Sequence, residues 1–493
     1  MALRRFLEIL PGAASVAALA GLVGFSWVFP AAVVIFIVLY DLYWLLKVVY
    51  LYFHLRVSFK KLKKNLSTDW FSHLKKEFPE WEKLRHLIVL PMYRESYEVV
   101  RASFASLAKA NYDGKKFIVV LALEARGGAE DEAVAERIRA EFAPAFGAFF
   151  ISVHPARIPG ELPGKGANET WAVKAAKSAI VDNEAIPYDD VIVSVFDIDT
   201  QPGREYFALL AHSFLRTEDN THASYQPIPL FTNNFYHASI FPRLIGFSAT
   251  FWQMMQQSRH EQLVTFSSHS VPFRALTEVG YWHTDIVSED SRIFFQCLIH
   301  YRGRWKTVPL YYPVYMDAVE GASFFSAMKN LYLQQRRWAW GVENFPYVIG
   351  EFIKRKDIPF RVKRFWTMKI FDGFFSWATS SFIIFLFGAL PNALGSEAFK
   401  ETVYSYNLPL VTGWLINLSS IGIITAAFLS MHFLPPREGR IRAKSGALYL
   451  LQWLLMPITF ITFGSIPAFE SQIRLALGGK FRLGFWKTPK GKR

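Results

Sequence analysis

The chain has 493 residues, a formal charge of +14 at neutral pH and an apolar fraction of 52%, with aromatic residues making up 17% of the chain. Both the length and the apolar fraction exceed those of an ordinary soluble domain, which excludes a single small soluble domain. The cations gather beside apolar segments instead of covering one soluble face, so we expect no nucleic-acid partner. The single cysteine, Cys297, allows no disulfide within the chain, in keeping with a reducing compartment.

Four apolar segments are long enough to span a bilayer. They cover residues 9–29, 31–53, 369–390 and 408–433. Residues 57–365 have an ordinary mixed composition and predict a soluble domain held between membrane segments. The first apolar segment has the position of a signal peptide, but a second one follows directly after Pro30 and no convincing small-residue cleavage site separates them. A helical hairpin is therefore the expected structure.

Cations flank the predicted spans on one side of the membrane. Arg4 and Arg5 precede the first span, lysines at 60, 61, 63 and 64 follow the second, and a basic segment from Lys354 to Lys369 precedes the third. The positive-inside rule therefore predicts a cytoplasmic amino terminus and a cytoplasmic soluble domain. We expect an integral protein of the plasma or inner membrane, with the lipid bilayer as a partner.

A weaker apolar segment at residues 446–466 leaves two topologies open. A full crossing would place the strongly basic carboxyl end outside the cell, whereas a re-entrant or interfacial helix would keep it in the cytoplasm. The positive charge of that end, together with Pro457 and Pro467, favours the re-entrant or interfacial helix. Both termini are then predicted to be cytoplasmic.

Within the soluble domain, short strand-like runs alternate with longer helical ones. The strand-like runs are rich in β-branched residues and lie at residues 86–90, 117–121, 149–153 and 191–196. Between the second and third runs, residues 129–143 repeat apolar side chains at helical spacing. The alternation predicts an α/β fold with a mostly parallel sheet covered on both faces. Ligands of such sheets bind at the carboxyl ends of the strands.

Polar side chains follow these strand ends. Tyr93 and Glu95 follow the first strand, Glu124 the second, and Asp197 and Asp199 the fourth. Two carboxylates spaced i and i+2 after a buried strand are costly unless a cation meets them. The expected cation is Mg²⁺ or Mn²⁺ shared with phosphate oxygens. The alternative is an N-cap for a helix opening near residues 202–203, although capping would use only one of the two acids.

A glycine-rich loop at residues 159–168 resembles a phosphate-binding loop. Its glycines are too close together for a P-loop, and Gly166 stands where Ser or Thr would hold magnesium, so we do not expect an NTPase. Lys165 and Asn168 are candidates for contacting a nucleotide or diphosphate. A turn before a helix at residues 168–184 explains the loop equally well.

Two further clusters carry candidate chemistry. Ser288-Glu289-Asp290 opens a predicted helix, where an N-cap with acids favoured by the helix dipole is the alternative explanation. Gln334-Gln335-Arg336-Arg337-Trp338 combines amides, cations and a flat aromatic ring. Arginine forks match phosphate oxygens, and an indole face suits the C–H side of a pyranose ring. A basic amphipathic helix on anionic lipid is the alternative for this second cluster.

In chain order, these motifs resemble the membrane-embedded family-2 glycosyltransferases with a GT-A fold, such as cellulose, hyaluronan and chitin synthases. The resemblance covers most of the chain, and the ordered set is more specific than any single motif. It comprises Leu90-Pro91-x-Tyr93-x-Glu95, Glu124, Asp197-x-Asp199, Ser288-Glu289-Asp290, Gln334-x-x-Arg337-Trp338, and Phe485-Trp486-Lys487-Thr488-Pro489-Lys490, which is similar to the gating loop of cellulose synthases.

The resemblance implies an α/β GT-A domain embedded between transmembrane helices. The expected parts are a transmembrane hairpin at 1–56, a cytosolic GT-A domain at 57–323, amphipathic interfacial helices at 324–368, two transmembrane helices at 369–433, and a cytosolic loop, re-entrant segment and gating-loop-like tail at 434–493.

The resemblance also implies roles for individual residues. Asp290 would be the general base, and Asp199, with Asp197, would hold Mg²⁺ or Mn²⁺. The remaining candidates would bind the donor or the acceptor. Tyr93, Glu95 and Glu124 would contact the nucleoside, and Asp197, Gln334 and Arg337 the nucleotide and diphosphate. Trp338 would be the floor for the acceptor's terminal sugar, and Thr488 and Lys490 would close over the donor. Glu289 is a further candidate for substrate binding, as is Lys165 of the glycine-rich loop.

Three positions depart from the family pattern. Glu124 replaces an aspartate found in many relatives, Ser288 replaces a threonine, and Lys487 replaces a valine in the gating loop. The first two keep the chemistry, and the third weakens the gate assignment. The motif set predicts a processive inverting transferase that extends a β-linked polysaccharide from a UDP-sugar and assists its translocation.

Two alternatives stay open at this stage. One is a non-processive transferase that adds a single sugar to a lipid or short glycan, and the other is a non-catalytic membrane protein that binds a glycan or nucleotide. The expected partners are thus a nucleotide-sugar donor and a polysaccharide or glycan acceptor, and the sequence sets no oligomeric state.

Overall fold

A computed structural model of the protein describes residues 2–435, 443–484, 486 and 487. Eight strands form one mixed sheet in the soluble part of the chain. The strands are β1 (Arg85–Met92), β2 (Phe117–Glu124), β3 (Ala148–His154), β4 (Val191–Val195), β5 (Gln201–Pro202), β6 (Ala223–Leu230), β7 (Ser270–Pro272) and β8 (Lys306–Tyr315). Their order across the sheet is β3-β2-β1-β4-β7-β6-β8-β5.

The four strands predicted from β-branched runs are all present and form the parallel half of the sheet. β1 pairs in parallel with β2 and β4, and β2 pairs in parallel with β3. Every residue of β2 and β4 is buried, as expected for strands covered on both faces. Consequently the polar residues that follow β1, β2 and β4 meet at one edge of the sheet.

The other half of the sheet is mixed and was not predicted. β7 runs antiparallel to β4 and β6, whereas β6 and β8 run parallel to each other. β7 has only three residues, and β6 and β8 each contain two prolines, which weaken a strand pattern in the sequence. These strands bring residues that follow β8 beside the end of β4.

Helices cover both faces of the sheet and form two separate apolar cores. The chain begins with two long helices, α1 (Ala2–Val28) and α2 (Pro30–Leu66). The helices around the sheet are α3 (Trp70–Glu77), α4 (Tyr97–Ala108), α5 (Ala129–Phe142), α6 (Lys165–Ala176), α7 (Tyr206–Arg216), α8 (Ile240–Gln257), α9 (Phe273–Glu278), α10 (Glu289–His300), α11 (Phe324–Ala339) and α12 (Asn344–Lys354). The prediction of a helix at residues 129–143 is confirmed by α5. The prediction at residues 168–184 placed the start too late, because the helix begins at Lys165 directly after the glycine-rich loop.

The described part of the chain that follows α12 is almost entirely helical. Its helices are α13 (Phe360–Phe385), α14 (Leu390–Leu394), α15 (Glu397–Lys400), α16 (Val403–Ser430), α17 (Ala443–Leu451), α18 (Met456–Thr459) and α19 (Ile466–Leu477). Within the described residues, four helices are long and apolar enough to cross a membrane, or five if the pair formed by α13 and the segment Phe387–Leu394, bent by 51°, is one span. The re-entrant topology of residues 446–466 stays a prediction.

The first and last helices of the described chain pack together. Ser15 of α1 donates a hydrogen bond of 2.7 Å to the side chain of Gln472 on α19. Arg5 donates to the carbonyl oxygen of Leu475 at 3.1 Å, and Glu8 pairs with both Arg5 and Arg482. These contacts direct the carboxyl-terminal tail back toward the soluble domain.

Gly147 tests the packing at the start of β3. A Cβ atom at this position would lie 2.2 Å from the carbonyl oxygen of Lys115, a backbone atom that cannot swing away. We expect Gly147→Ala to destabilise the protein by about 1–3 kcal/mol, as overpacked sites do. Thermal unfolding of the purified protein in detergent measures this loss.

Gly350→Ala is the matched control, because a Cβ at Gly350 meets nothing within 4 Å. An alanine inside α12 is expected to stabilise by about 0.5–1 kcal/mol. Equal unfolding midpoints for the two variants would contradict the packing described for Gly147.

Candidate functional site

The two aspartates after β4 lie in different environments. One carboxylate oxygen of Asp197 is 2.9 Å from the Nζ of Lys165, and the other accepts a 2.7 Å hydrogen bond from the Ser267 hydroxyl. Asp199 is completely buried, and its carboxylate accepts from the backbone N–H of Asp317 at 2.8 Å. The next helix begins only at Tyr206, so the N-cap interpretation of these aspartates is wrong.

Lys165 connects the metal-type motif to the predicted base. It is the first residue of α6, and its side chain is only 8% exposed. Its Nζ lies 2.8 Å and 3.0 Å from the two carboxylate oxygens of Asp290 and 3.5 Å from Glu169, in addition to Asp197. One ammonium group therefore lies among three carboxyl groups that come from three separate segments.

Burial and the charges of this cluster shift the pKa values of its members. Burial alone would lower the pKa of Lys165, but the carboxylates of Asp197, Asp290 and Glu169 outweigh burial and raise that pKa well above its ordinary value. Glu169 is 0% exposed, and burial raises its pKa well above the ordinary value although Lys165 opposes the shift. The shifts therefore favour the charged form of Lys165 and the protonated form of Glu169.

Two neighbours of Asp290 are also neutral near pH 7. Burial, with the adjacent charge of Asp290, raises the pKa of Glu289 to about 8. Burial, with the charge of Lys165, lowers the pKa of His269 to about 4, and its Nδ1 lies 3.0 Å from the Phe266 carbonyl oxygen. The same Nδ1 is 3.6 Å from a carboxylate oxygen of Asp290.

Gly166 allows α6 to approach α10 closely. A Cβ at Gly166 would lie 3.0 Å from both the Cβ of Glu289 and the carbonyl oxygen of His283. Asn168, one turn into α6, is buried and donates a 2.8 Å hydrogen bond to the Ala122 carbonyl in β2. The glycine-rich loop thus sets the position of Lys165, while the Asn168 amide is engaged by the sheet.

The first turn of α10, which carries Asp290, is held by Glu343. The Glu343 carboxylate accepts hydrogen bonds from the Ser288 backbone N–H at 3.2 Å and from the Ser288 hydroxyl at 2.7 Å. Ser288 itself makes no capping bond with its side chain. The Ser288 side chain therefore does not cap the helix, whereas Glu289 and Asp290 do lie in its first turn, as the helix-dipole alternative expects.

A loop at residues 265–269 joins the parts of the site. Thr265 donates a 2.5 Å hydrogen bond to the carbonyl oxygen of Asp290, and Ser267 binds Asp197. Between them, the ring centroid of Phe266 lies 5.7 Å from that of Trp338 in an edge-to-face arrangement. The loop therefore contacts the aspartate motif, the base helix and the tryptophan of α11.

The residues of the Gln-x-x-Arg-Trp motif lie in the last turns of α11. Gln334 is buried, whereas Arg337 and Trp338 are half-buried. The positive charge of Arg337 partly opposes the rise in the pKa of Glu289 on α10. The neighbouring Arg336 points elsewhere, since it forms a 2.8 Å ion pair with Glu470 of α19.

The residues that follow β1 and β2 form a second group. Glu124 is buried and accepts from Nε of Arg126 at 2.8 Å, and the Arg126 guanidinium lies 4.6 Å from the ring centroid of Tyr93. Glu95 pairs with Lys487 of the tail at 3.0 Å. The structure thus brings Tyr93, Glu95 and Glu124 to one sheet edge, while Thr488 and Lys490 lie outside the described residues.

Several residues of the site were not found from the sequence. Glu169 and His269 lie in segments without a recognisable motif, and Arg126 is two residues from Glu124 without forming a pattern with it. Asp317 follows β8, a strand that was not predicted, so its position beside Asp199 had no sequence signal. These residues are Arg126, Glu169, Thr265, Ser267, His269, Asp317 and Glu343.

The donor set at the end of β4 fits a hard divalent cation. The described part of the chain gathers no group of three or more His, Cys, Asp or Glu side chains at metal-binding distances. Mg²⁺ does not require such a group, because it is usually held by one or two carboxylates together with substrate phosphates and water. Asp197, which is partly exposed, and the buried Asp199 supply this number of carboxylates.

A comparison with family profiles finds a match over the central part of the chain. The sequence profile described as "Glycosyl transferase family group 2" matches residues 192–430. The match confirms the resemblance found in the motifs, and with the mixed sheet flanked by helices it confirms the predicted α/β GT-A fold class. A comparison with curated protein sequences gives no match.

Solved structures show more distant similarity. The mannosyltransferase PcManGT of Pyrobaculum calidifontis, in complex with GDP-Man and Mn²⁺, is 14% identical with a TM-score of 0.41, covering 85% of this chain and 96% of its own. Residues 1–349 of S. aureus TarS, in complex with UDP-GlcNAc, are 14% identical with a TM-score of 0.36, covering 72% of this chain and 93% of their own.

Glu289 generates a prediction about pH. Because its folded pKa is raised to about 8, the folded state holds a proton that the unfolded state releases above its ordinary pKa of 4.5. The contribution of Glu289 to the free energy of unfolding is fully present below pH 4.5 and is lost as the pH rises toward 8. We expect Glu289→Gln to flatten the fall of the thermal unfolding midpoint between pH 5 and 8.

Glu132→Gln is the control, since Glu132 is an exposed glutamate on α5. Its pH profile is expected to follow the native protein. Buried Glu169 contributes in the same direction as Glu289, so the double variant with Glu169→Gln flattens the profile further. If the unfolding midpoint of Glu289→Gln falls with pH as steeply as that of the native protein, the raised pKa of Glu289 is refuted.

Proposed function

We propose that this chain, whose residues 192–430 match the profile of group 2 glycosyl transferases, is an inverting enzyme that extends a β-linked polysaccharide from a nucleotide sugar. A UDP-sugar is the proposed donor. The observation that carries this proposal is the ion network in which Lys165 joins Asp197 of the donor motif to Asp290. This network supports the proposal because it holds the proposed base and the proposed diphosphate-binding motif within hydrogen-bond distance of one ammonium group.

Asp290 is the proposed general base. An acceptor hydroxyl attacks the anomeric carbon of the donor on the face opposite the diphosphate. The new C–O bond forms as the bond to the diphosphate oxygen breaks, and the electron pair leaves with the nucleoside diphosphate. The hydroxyl proton passes to the Asp290 carboxylate. A single displacement of this kind inverts the anomeric centre and gives a β-linkage from an α-linked donor.

Lys165 has two tasks in this proposal. Before the donor binds, its ammonium reduces the repulsion between Asp197 and Asp290, to which it bonds at 2.9 Å and 2.8 Å. When the donor binds, the diphosphate competes with these carboxylates for the same ammonium. A shift of Lys165 toward the diphosphate would remove hydrogen bonds from Asp290 and strengthen it as a base.

The metal proposed for this site is Mg²⁺ or Mn²⁺, held by Asp199 with Asp197. When bound, it would offset the charge that develops on the leaving diphosphate. The protein's own contribution to the same charge comes from Lys165 and Arg337. Asp199 is kept in place by the backbone N–H of Asp317, so this carboxylate is fixed before a ligand arrives.

The donor's nucleoside is proposed to bind beside Tyr93, Glu95 and Glu124. Tyr93 offers a ring surface that Arg126 already covers on one side, at 4.6 Å from the ring centroid. Glu124 and Glu95 offer carboxylates for hydroxyl groups of the ribose or donor amide groups of the base. Lys487 forms an ion pair of 3.0 Å with Glu95, so the carboxyl-terminal tail reaches the residues that follow β1. Lys487, Thr488 and Lys490 are proposed to cover the donor bound there.

Trp338 is the proposed floor for the acceptor sugar, with Gln334 and Glu289 beside it. The tryptophan lies between the rings of Phe231 and Phe266, with centroids 6.0 Å and 5.7 Å away. Its helix α11 is joined to α19, part of a candidate membrane span, by the ion pair of Arg336 with Glu470. An acceptor site next to a membrane helix supports extension of a polymer that leaves through the membrane.

The proposal is tested with a donor panel. Purified protein with Mg²⁺ or Mn²⁺ receives radiolabelled UDP-glucose, UDP-GlcNAc, UDP-glucuronate, UDP-galactose and GDP-mannose, and products are sized. Long products from a UDP-sugar support the proposal. Products with one added sugar would replace it with a non-processive transferase, and nucleotide binding without turnover over the panel would replace it with a non-catalytic binding protein.

Asp290→Asn tests the base. Because an amide cannot accept the hydroxyl proton, kcat should fall by about 10²–10⁴-fold, the usual contribution of a positioned base. Nucleotide affinity, measured by calorimetry, should change far less than kcat. The exposed Asp285→Asn is the control for a lost charge on the same segment and should keep native activity. Full activity in Asp290→Asn would remove Asp290 from the mechanism.

Trp338→Ala tests the acceptor floor. Loss of the ring should raise KM for the acceptor and shorten the products, while donor binding stays near the native value. Trp338→Phe keeps a ring and should recover much of the product length. The exposed Trp252→Ala is the matched control for loss of a tryptophan. Native product length in Trp338→Ala with a folded protein would place the acceptor elsewhere.

A further inference from the structure

A groove of about 300 Å³ lies between α12 and α13, apart from the site described above. Its lining positions recur at helical spacing, at 349, 352 and 353 on α12 and at 360, 363, 364, 367 and 368 on α13. Each helix therefore presents one continuous stripe to the groove. The stripes consist of Ile349, Phe352 and Ile353 facing Phe360, Lys363, Arg364, Thr367 and Met368.

The apolar rim of this groove is open to its surroundings. Phe360 is 77% exposed, Met368 61% and Ile353 56%. Large apolar side chains exposed together mark an interaction surface rather than a folding requirement. α13 then continues away from the groove as part of a bent candidate membrane span, so the groove lies where this helix would enter a bilayer.

The same corner of the chain is strongly basic. Between residues 354 and 364 there are six cations and one acid, Asp357. The nearby acids are already paired, Asp357 with Arg302 at 3.3 Å and Glu351 with Lys354 at 2.7 Å. Among the residues that the structure describes, neither Arg361 nor Arg364 has a carboxylate partner. The cations are Lys354, Arg355, Lys356, Arg361, Lys363 and Arg364.

We infer that this groove binds one anionic phospholipid. Its phosphate contacts Arg364, with Lys363 and Arg361 adding positive charge, and an acyl chain lies along Ile353, Phe360 and Met368. Basic pockets beside membrane helices on the cytoplasmic side recognise anionic headgroups in this way. An apolar stripe with cations on its polar side is also the pattern of a helix lying at a membrane interface.

The combination of features selects a lipid over other anionic partners. An RNA or an acidic peptide would use the cations but would leave Phe360, Met368 and Ile353 in water. A phospholipid uses both, because it carries a phosphate and an acyl chain in one molecule. The site is more than general attraction of the basic segment to a membrane, since only two of its six cations, Lys363 and Arg364, line the groove.

The test compares headgroups in one bilayer. Full-length protein is placed in phosphatidylcholine nanodiscs that contain a trace of spin-labelled phosphatidylglycerol or spin-labelled phosphatidylcholine. The fraction of immobilised label gives the relative association of each lipid. Native protein should prefer phosphatidylglycerol. Arg364→Gln removes one cation and should lower this preference about fivefold. The double variant with Lys363→Gln removes two cations and should lower it by about the same factor again.

Two controls separate the groove from diffuse charge. Lys356→Gln removes an exposed cation of the same segment that does not line the groove, and it should keep the native preference. Ile353→Asn keeps all the charges and should reduce immobilisation of phosphatidylglycerol through the lost apolar contact. Lipid association is compared only for variants whose thermal unfolding midpoint is close to that of the native protein.

Inorganic phosphate is the other anion that the cations of the groove would attract. Inorganic phosphate at constant ionic strength should leave the immobilised fraction unchanged if the acyl chain contributes to binding. Displacement of the labelled lipid by phosphate would overturn the proposal in favour of a simple anion site. Equal preference in native protein for the two lipids, or an equal loss in Lys356→Gln and Arg364→Gln, would overturn it as well.

Discussion

The arrangement of the site depends on one buried cation, the ammonium of Lys165, placed among carboxylates that would otherwise repel each other. Asp197 follows a β-strand, Asp290 opens a helix and Glu169 lies on the same helix as the lysine. Removing one partner from such a buried group is strongly destabilising, because the remaining charges are left without compensation. The network therefore fixes the distance between the aspartate motif and the proposed base, and the same ammonium is available to a diphosphate. Structural stability and proposed chemistry use the same contacts here.

Close approach of two helices is the second requirement of this arrangement. Gly166 removes the side chain that would separate α6 from Glu289, and Glu343 caps the start of α10 from the segment that follows the Gln-x-x-Arg-Trp motif. The loop at 265–269 adds hydrogen bonds to Asp197 and Asp290 on either side of Phe266. Parts of the chain that are more than 100 residues apart thus hold one another in position. A change in α11 or in the glycine-rich loop is expected to reach Asp290 through these contacts.

The membrane-type helices are attached to the site through few but specific contacts. Arg336 points away from the site toward Glu470, while Trp338 of the same motif contacts Phe266 in the site loop. Adjacent residues of one motif therefore serve attachment and proposed substrate binding separately, because successive positions on a helix point about 100° apart. The lipid groove between α12 and α13 would add a further attachment at the bilayer surface. The proposed acceptor floor then lies between the soluble sheet and the helices through which a product would leave.

The sequence by itself determined the parallel half of the sheet and the motif residues. β-Branched runs and helical spacing gave β1 to β4 and α5, since these patterns depend on local burial. The ordered motifs indicated the family whose profile matches residues 192–430. Only the tertiary structure decided which residues meet. The pairing of Lys165 with Asp290, the cap by Glu343, the position of Asp317 beside Asp199 and the contact of Lys487 with Glu95 all join distant segments. Local patterns carry no information about such contacts, because they are set by strand order in the sheet and by the packing of helices across it. The roles proposed for the motif residues stay predictions that the experiments above decide.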